Sequence, residues 1–340
     1  MARIFSDGFE LGIIGEGWIN NDTSRVYVSN VIKISGNYSL RLENTSSASI
    51  SCYLPSLNEI YYSGRYYFVE NVMHNIINFK YNSTQLGMIC INNTTERKIG
   101  YYPGTSSTAS ALSTSSFPIG NYYHVEAYIK IDDSNGRIVV KVNGVTEIDY
   151  TGDTKPGADT AINLIKFGYD FTGSKKGDSG YYIDDIIFDN STWIGNVKIY
   201  PVRIGSIGYY DGTAYFEAVG NSDILSCINE VPPNYNDYII SDTTGAKVSF
   251  KLLQSNLDNL SNTSSIKSLN LKTVCNNTGN STKKLKLFIR KNNNDYKSSE
   301  LNVPLEYPNI ISYNFEKDPS NSQNWEMSDI YDIDVGIEVV

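Results

Sequence analysis

Between Asn121 and Tyr150 the chain reads NYYHVEAYIKIDDSNGRIVVKVNGVTEIDY, and apolar and polar positions alternate through most of it. From Tyr123 to Ile131 the odd positions are Tyr123, Val125, Ala127, Ile129 and Ile131, and the even ones are His124, Glu126, Tyr128 and Lys130. Side chains alternate faces along a strand, so this segment predicts one strand with an apolar and a wet face. Asp132 to Gly136 reads as a loop, and Ile138 to Val142 as a β-branched strand. Asn143-Gly144 is a strong hairpin signal, because both residues tolerate positive φ. A two-residue turn there sets Val140 opposite Glu147, an apolar residue against a charged one, so the hairpin is expected to carry a bulge or a longer loop.

Similar short runs follow one another along the first 200 or so residues. Strands are expected at Val26–Val28, Tyr38–Leu42, Ile50–Leu54, Arg65–Val69, Ile76–Lys80, Leu86–Ile91, Arg97–Tyr101, Ile162–Tyr169 and Tyr181–Asp189. Ala109 and Leu112 suggest an edge strand inside a Ser/Thr-rich loop over 104–116, and Ile194–Ile204 reads as a further strand. Strands are then expected at Ile224–Ile228, Val248–Leu252, Ser268–Val274, Lys284–Lys291 and Val335–Val340, with 254–265 a polar loop. No segment sustains a 3.6-residue apolar period. Many short strands at this spacing predict all-β sandwiches: a larger domain over 1–204 and a smaller β-sandwich over 205–340.

Composition agrees. The 340 residues include 27 Tyr against 12 Phe and 3 Trp, with 26 Gly, a strand-former's usage. A formal net charge of −9 disfavours nucleic-acid binding through phosphates and adhesion to an anionic membrane. Met1 to Gly8 holds no apolar run of signal-peptide length and nothing later approaches a membrane span, so synthesis in a reducing cytoplasm is expected. Cys52, Cys90, Cys227 and Cys275, widely spaced, read as free thiols, and the many N-x-S/T matches are set aside as glycosylation sites.

Three stretches resemble the laminin-G-like/concanavalin A-like jelly rolls of bacteriophage virion proteins. Tyr122-Tyr123-His124-Val125-Glu126 followed by Asn143-Gly144 matches that family's "W-hydrophobic-H-V … V-N-G" pattern, with Tyr122 where the family usually has Trp. Ile183-Asp184-Asp185-Ile186-Ile187-Phe188 is similar to its late "I-D-D-hydrophobic" strand, and Asp7-Gly8-Phe9-Glu10 to its opening "D-G-F-E/D". The second part resembles a segment that follows this domain in phage structural proteins, through Asn229 to Asn234, Asp237-Tyr238, Gly245, Asp318-Pro319 and Trp325. The resemblance implies a concanavalin A-like jelly roll followed by a smaller virion-docking module. It also implies that first and last strands pair, bringing Asp7 and Glu10 toward Asp184 and Asp185, an oxygen set of the kind calcium takes. The alternative is that these acids cap turns and solvate the strand edge.

The candidate chemistry is sparse. With only His74 and His124, and no metalloprotease, nucleophile-elbow or phosphate-loop motif, no catalytic residue is assigned. Glycoside hydrolysis needs two carboxylates across a cleft, and the E-x-D-x-x-E run used on this fold does not occur. Tyr pairs such as Tyr61-Tyr62, Tyr66-Tyr67, Tyr122-Tyr123 and Tyr181-Tyr182 are expected to send one ring to the core and one to the surface. The expected function is a non-enzymatic virion structural protein, a decoration or appendage subunit of capsid or tail. Its expected partners are other virion proteins and symmetric copies of itself. The alternative is a carbohydrate-binding host-adhesion module, with loops near Ser106–Ser116, Asp132–Gly136 and Gly173–Asp178 shaping a shallow site for a host surface glycan. No cofactor besides calcium is expected.

Overall fold

A computed structural model describes residues 3–15, 17–43, 48–92, 95–159, 161–168, 180–210, 216–260, 265–279, 281–305 and 308–340. The chain divides into two compact units, Met1–Tyr200 and Pro201–Val340.

The first unit is a jelly-roll sandwich. Its strands are β1 (Arg3–Asp7), β2 (Trp18–Asn20), β3 (Val26–Ser29), β4 (Ser39–Glu43), β5 (Ser49–Leu57), β6 (Glu59–Phe68), β7 (His74–Tyr81) and β8 (Thr84–Ile91). After these come β9 (Ile99–Pro103), β10 (Ala111–Leu112), β11 (Tyr122–Lys130), β12 (Gly136–Val142), β13 (Val145–Gly152), β14 (Ile162–Gly168) and β15 (Gly180–Asp189). One sheet runs β13-β12-β11-β6-β15-β4-β3, with β1 also pairing β15; the other runs β10-β9-β8-β7-β14-β5-β2. The first and last strands therefore do pair, Asp7 opposite Ile186.

The inward faces interdigitate in one core. Tyr62, Tyr66, Phe68, Tyr181 and Phe188 from the first sheet meet Ile50, Phe79, Ile89 and Phe167 from the second. Buried phenols need partners, and here they find them across the sandwich. The Tyr62 and Tyr66 hydroxyls pair, and Tyr66 donates to Ile76 O (2.6 Å). Tyr181 donates to Asn75 O (2.8 Å) and accepts from Gly168 N (2.8 Å). Gly64, between Tyr62 and Tyr66, leaves the space that the Tyr62 hydroxyl fills.

The central hairpin forms as its pattern predicts, with Asn143 at φ 49° and Gly144 at φ 84°. Val140 pairs with Ile148 and Lys141 with Thr146, so Glu147 is the extra residue of the expected bulge. That bulge turns Glu147 to accept from Thr114 Oγ1 and Ser115 N (both 3.0 Å), pinning the 104–116 loop.

The second unit, also all-β, contains β16 (Ile204–Tyr210), β17 (Glu217–Val219), β18 (Tyr238–Ile240), β19 (Lys247–Leu252), β20 (Leu269–Cys275), β21 (Lys284–Lys291), β22 (Asn294–Lys297), β23 (Leu301–Asn302), β24 (Asn309–Phe315) and β25 (Asp334–Val339). Two five-residue helices, α1 (Gln254–Asp258) and α2 (Met327–Tyr331), interrupt it. Its main sheet runs β16-β19-β25-β21-β22, with β23 on β21; β17-β18 and β20-β24 are separate pairs. Trp325, buried beside Ile289, Phe315 and Ile330, donates to Phe315 O (2.8 Å).

Three expectations are corrected. Residues 194–203 form no strand: Gly195 N and Ile199 N donate to Glu126 and Asp185 on the first sheet, and Arg203 N donates to Asn256 Oδ1. Ile224–Ile228 is a turn, held by Asp223 Oδ1 accepting from Ser226 N (2.9 Å). The polar 254–265 stretch begins with α1, which buries Leu257. All four cysteines are free, Cys275 half-buried and the other three buried. Among the described residues no helix is long and apolar enough to cross a membrane.

Gly64→Ala is expected to lower unfolding free energy by about 1–3 kcal/mol, since a methyl group there overlaps the Tyr62 hydroxyl. Chemical denaturation measures it, and an unchanged midpoint refutes this account of the core.

Candidate functional site

The outward face of the β11-β6-β15-β4-β3 sheet is ordered in rows that cross the strands. The first row runs Tyr122–Tyr67–Tyr182–Arg41–Tyr27, each residue directly opposite the next on a neighbouring strand. The second runs His124–Arg65–Asp184. The third runs Lys141–Glu126–Ser63–Ile187, and the fourth Tyr128–Tyr61–Asp189. Two aromatic rows therefore bracket two polar ones.

The polar rows are covered by a strap, residues 193–199, and by the loop at 31–38. Gly195 N donates to Glu126 Oε1 (2.7 Å), and Ile199 N to Asp185 Oδ1 (2.7 Å). Arg65 bonds Asn196 through Nη2 and forms an ion pair with Asp185 through Nε (2.9 Å). Ser35 Oγ donates to Asp185 (2.6 Å), while Ile34 N and Ser35 N donate to Asp184 Oδ2 (3.0 and 3.1 Å). Trp193 reaches the fourth row, 5.5 Å from Tyr61 and 6.4 Å from Tyr128, under the Lys141 ammonium 3.6 Å from its ring centre. That aromatic row is thus consumed in fixing the strap.

Burial governs the charges beneath it. Desolvation, then repulsion from Asp185, pushes the Asp184 carboxyl well above the usual carboxylate range. Asp185 is also raised by burial, against its Ser35, Ile199 and Arg65 partners. Burial, with the nearby Arg65 charge, pushes His124 down to about 4, so it is a neutral imidazole 2.8 Å from Ser63 Oγ. Glu10, accepting from Asn37 N (2.8 Å) and Tyr38 N (3.3 Å), is pushed up to about 7, mainly by burial. Gly36 (φ +55°) gives that carboxylate its room.

The four acids read as a calcium set are brought into one region, but as hydrogen-bond acceptors. Asp7 takes Trp18 Nε1 (2.8 Å) and Phe9 N (2.9 Å), while Glu10, Asp184 and Asp185 hold the segments above. Among the described residues no group of three or more His, Cys, Asp or Glu side chains is placed to hold a metal ion. In the described structure these acids organise turns and the strap.

The first row is different. Tyr122 and Tyr27 are 50% and 39% exposed at its two ends, and Tyr67 is half-buried between them. Tyr67 lies 4.9 Å from Tyr122 and 6.4 Å from Tyr182, and the Arg41 guanidinium stacks 4.5 Å from the Tyr182 ring centre. Tyr122 donates to Lys33 O (3.4 Å) and Tyr27 to Glu43 Oε1 (3.3 Å), which holds the end rings in place. Five strands at about 4.8 Å spacing give a row about 19 Å long. Within the Tyr pairs, Tyr62, Tyr66 and Tyr123 go to the core as expected, but Tyr182 and Tyr102 are buried on outer faces, covered by packing the alternation does not report. Of the loops expected to shape a site, 106–116 is pinned to Glu147, Asp132 Oδ1 closes its own turn onto Ser134 N and Asn135 N (3.0 and 2.7 Å), and 173–178 lies outside the described residues.

No protein-family model and no curated protein matches the chain. Among solved structures it is similar to an endo-β-1,4-glucuronan lyase from the fungus Trichoderma reesei, at 14% identity and TM-score 0.42, covering 56% of this chain and 96% of that one. It is similar to alginate lyase Aly36B at 16% identity and TM-score 0.39, covering 53% and 88%. It is also similar to Trypanosoma rangeli sialidase at 12% identity and TM-score 0.37, covering 53% and 30%. At these identities the likeness shows the fold alone. The expectation of a non-enzymatic virion structural protein is corrected here: these neighbours are glycan-processing enzymes by name, and that reading is not kept.

Asp185→Asn leaves the Arg65 charge buried without its partner and is expected to cost about 3–5 kcal/mol of stability in denaturant unfolding. A loss below about 1 kcal/mol contradicts the pair's role. For Glu10, the folded carboxyl keeps its proton to higher pH than the unfolded one, at about 7 against 4.5. Its ionisation therefore removes stability as pH rises from 4.5 through 7. Glu10→Gln is expected to gain thermal stability relative to the parent steadily across that window; a constant difference refutes it.

Proposed function

We propose that the first unit is a carbohydrate-binding β-sandwich whose glycan lies along the Tyr122–Tyr67–Tyr182–Arg41–Tyr27 row. The in-register alignment of these five side chains is the observation that carries the reading. The C–H faces of a sugar ring are apolar and weakly positive, and they suit the negative face of an aromatic ring. Tyrosine offers that surface at little entropic cost and keeps a polar tip for hydroxyl groups. A row across strands also spaces its rings by the sheet itself, so the platform is rigid before ligand arrives. Tyr122 and Tyr27 provide the accessible rings at the two ends, Tyr67 is half-buried beside Tyr122, and the buried Arg41 and Tyr182 pack the middle of the row.

A glycan array followed by calorimetry on the best ligand tests this. Tyr122→Ala and Tyr27→Ala are each expected to weaken binding by about 0.5–1.5 kcal/mol with the thermal midpoint unchanged. Wild-type affinity in both variants, or no glycan retained by the parent protein, contradicts the reading.

A further inference from the structure

In the second unit, the chain between Arg203 and Lys247 carries six Asp or Glu residues and no Lys, Arg or His. Two of those acids, Glu230 and Asp237, meet. Asp237 immediately precedes β18, which pairs with β17 so that Val219 stands opposite Tyr238. Gly220, at φ +84°, lets the backbone close there, since a Cβ would stand 2.3 Å from Asn236 O and 2.9 Å from Asp237 Cα. Asp237 is left only 7% exposed. The Glu230 side chain lies against it, and desolvation, then repulsion from Asp237, raises the Glu230 carboxyl.

A buried carboxylate needs hydrogen-bond donors or a cation, and Asp237 is short of both. Its Oδ2 accepts from Asn221 Nδ2 at 3.3 Å, and its Oδ1, shielded from solvent, has no hydrogen-bond partner. Glu230 meets it carboxyl to carboxyl, and two ionised carboxylates have no proton to share. Among the described residues neither acid forms an ion pair, and Lys247 is held by Asp295 and Glu338 (3.1 and 3.4 Å). The contrast with the first unit is plain: there Asp7 and Asp184 each accept from two donors. Asp223, on the turn beside this pair, is also satisfied, by Ser226 N (2.9 Å) and Ser226 Oγ (2.7 Å).

We propose that Asp237 and Glu230 form a binding site for a hard divalent cation, calcium before magnesium. The ion takes the unpartnered Asp237 Oδ1 and the Glu230 carboxylate, and it neutralises the two charges that otherwise repel. Water completes the shell, which suits the irregular coordination of calcium better than the strict octahedron of magnesium. The donors are oxygens, so a soft metal is not favoured. Cys227, on the same turn, donates Sγ to Val219 O (3.7 Å), and burial raises its thiol, so it stays protonated and is no ligand. Two carboxylates are fewer than the three-side-chain groupings that the described residues lack, and the site is correspondingly weak. Affinity is expected at about 10⁻⁴–10⁻³ M, the range of extracellular calcium modules.

The test is calorimetric titration and thermal unfolding of the full chain, stripped with EDTA and then given calcium, magnesium or zinc. Calcium about tenfold above its Kd is expected to raise the thermal midpoint by about 2–4 °C. Glu230→Gln removes a charge from a half-exposed side chain, so in EDTA it should melt at or above the parent midpoint, and calcium should no longer shift it. Asp237→Asn should lose the calcium response too; if that variant does not fold, Glu230→Gln decides. The inference is overturned if calcium gives neither binding heat nor a shift, if Glu230→Gln responds to calcium like the parent, or if zinc binds more tightly than calcium. It is also overturned if Glu230→Gln melts well below the parent in EDTA, since Glu230 is then a structural partner of Asp237 without any ion.

Discussion

Arg65 and Asp185 form a buried ion pair at the point where β15 slips its register against β6, with Asp185 held at φ 51°. Removing two charges from water costs several kcal/mol per ion, and a non-glycine residue at positive φ adds to that. Such a pair persists only if its remaining polar atoms are satisfied. Here Ser35, Ile199, Asn196 and Val197 supply those partners, drawing the 31–38 loop and the strap onto one sheet face. The rest of that face depends on the pair, because the strap it secures decides which rows are covered.

Coverage then sorts the aromatic residues into two uses. Tyr61, Tyr128, Trp193 and Lys141 make a packed corner that anchors one end of the strap. The row from Tyr122 to Tyr27 lies on the far side of the Arg65 row and keeps accessible rings at both ends.

Much of the scaffold was legible in the sequence. Alternation located most strands of the first unit, and the clash of Val140 with Glu147 foretold the bulge, because both depend only on neighbours along the chain. The strap was misread as a strand: IGNVKIYPVRI has strand composition, and only the three-dimensional placement of Glu126, Arg65 and Asp185 shows where its backbone groups bond. The roles of Glu10 and Asp184 as acceptors for loop backbone were not legible, since a carboxylate that accepts from distant backbone N–H groups looks in sequence like any acid. The tyrosine row was invisible for a similar reason. Tyr27, Arg41, Tyr67, Tyr122 and Tyr182 are scattered over 155 positions, and only strand order and register make them neighbours.

The most direct measurement is a crystal structure of the protein soaked with the best oligosaccharide from a glycan array. The account predicts sugar rings over Tyr122, Tyr67 or Tyr27, parallel to the row, with the Arg65–Asp185 pair and the strap in place beneath. Sugar bound only at other surfaces, with the row bare, contradicts it.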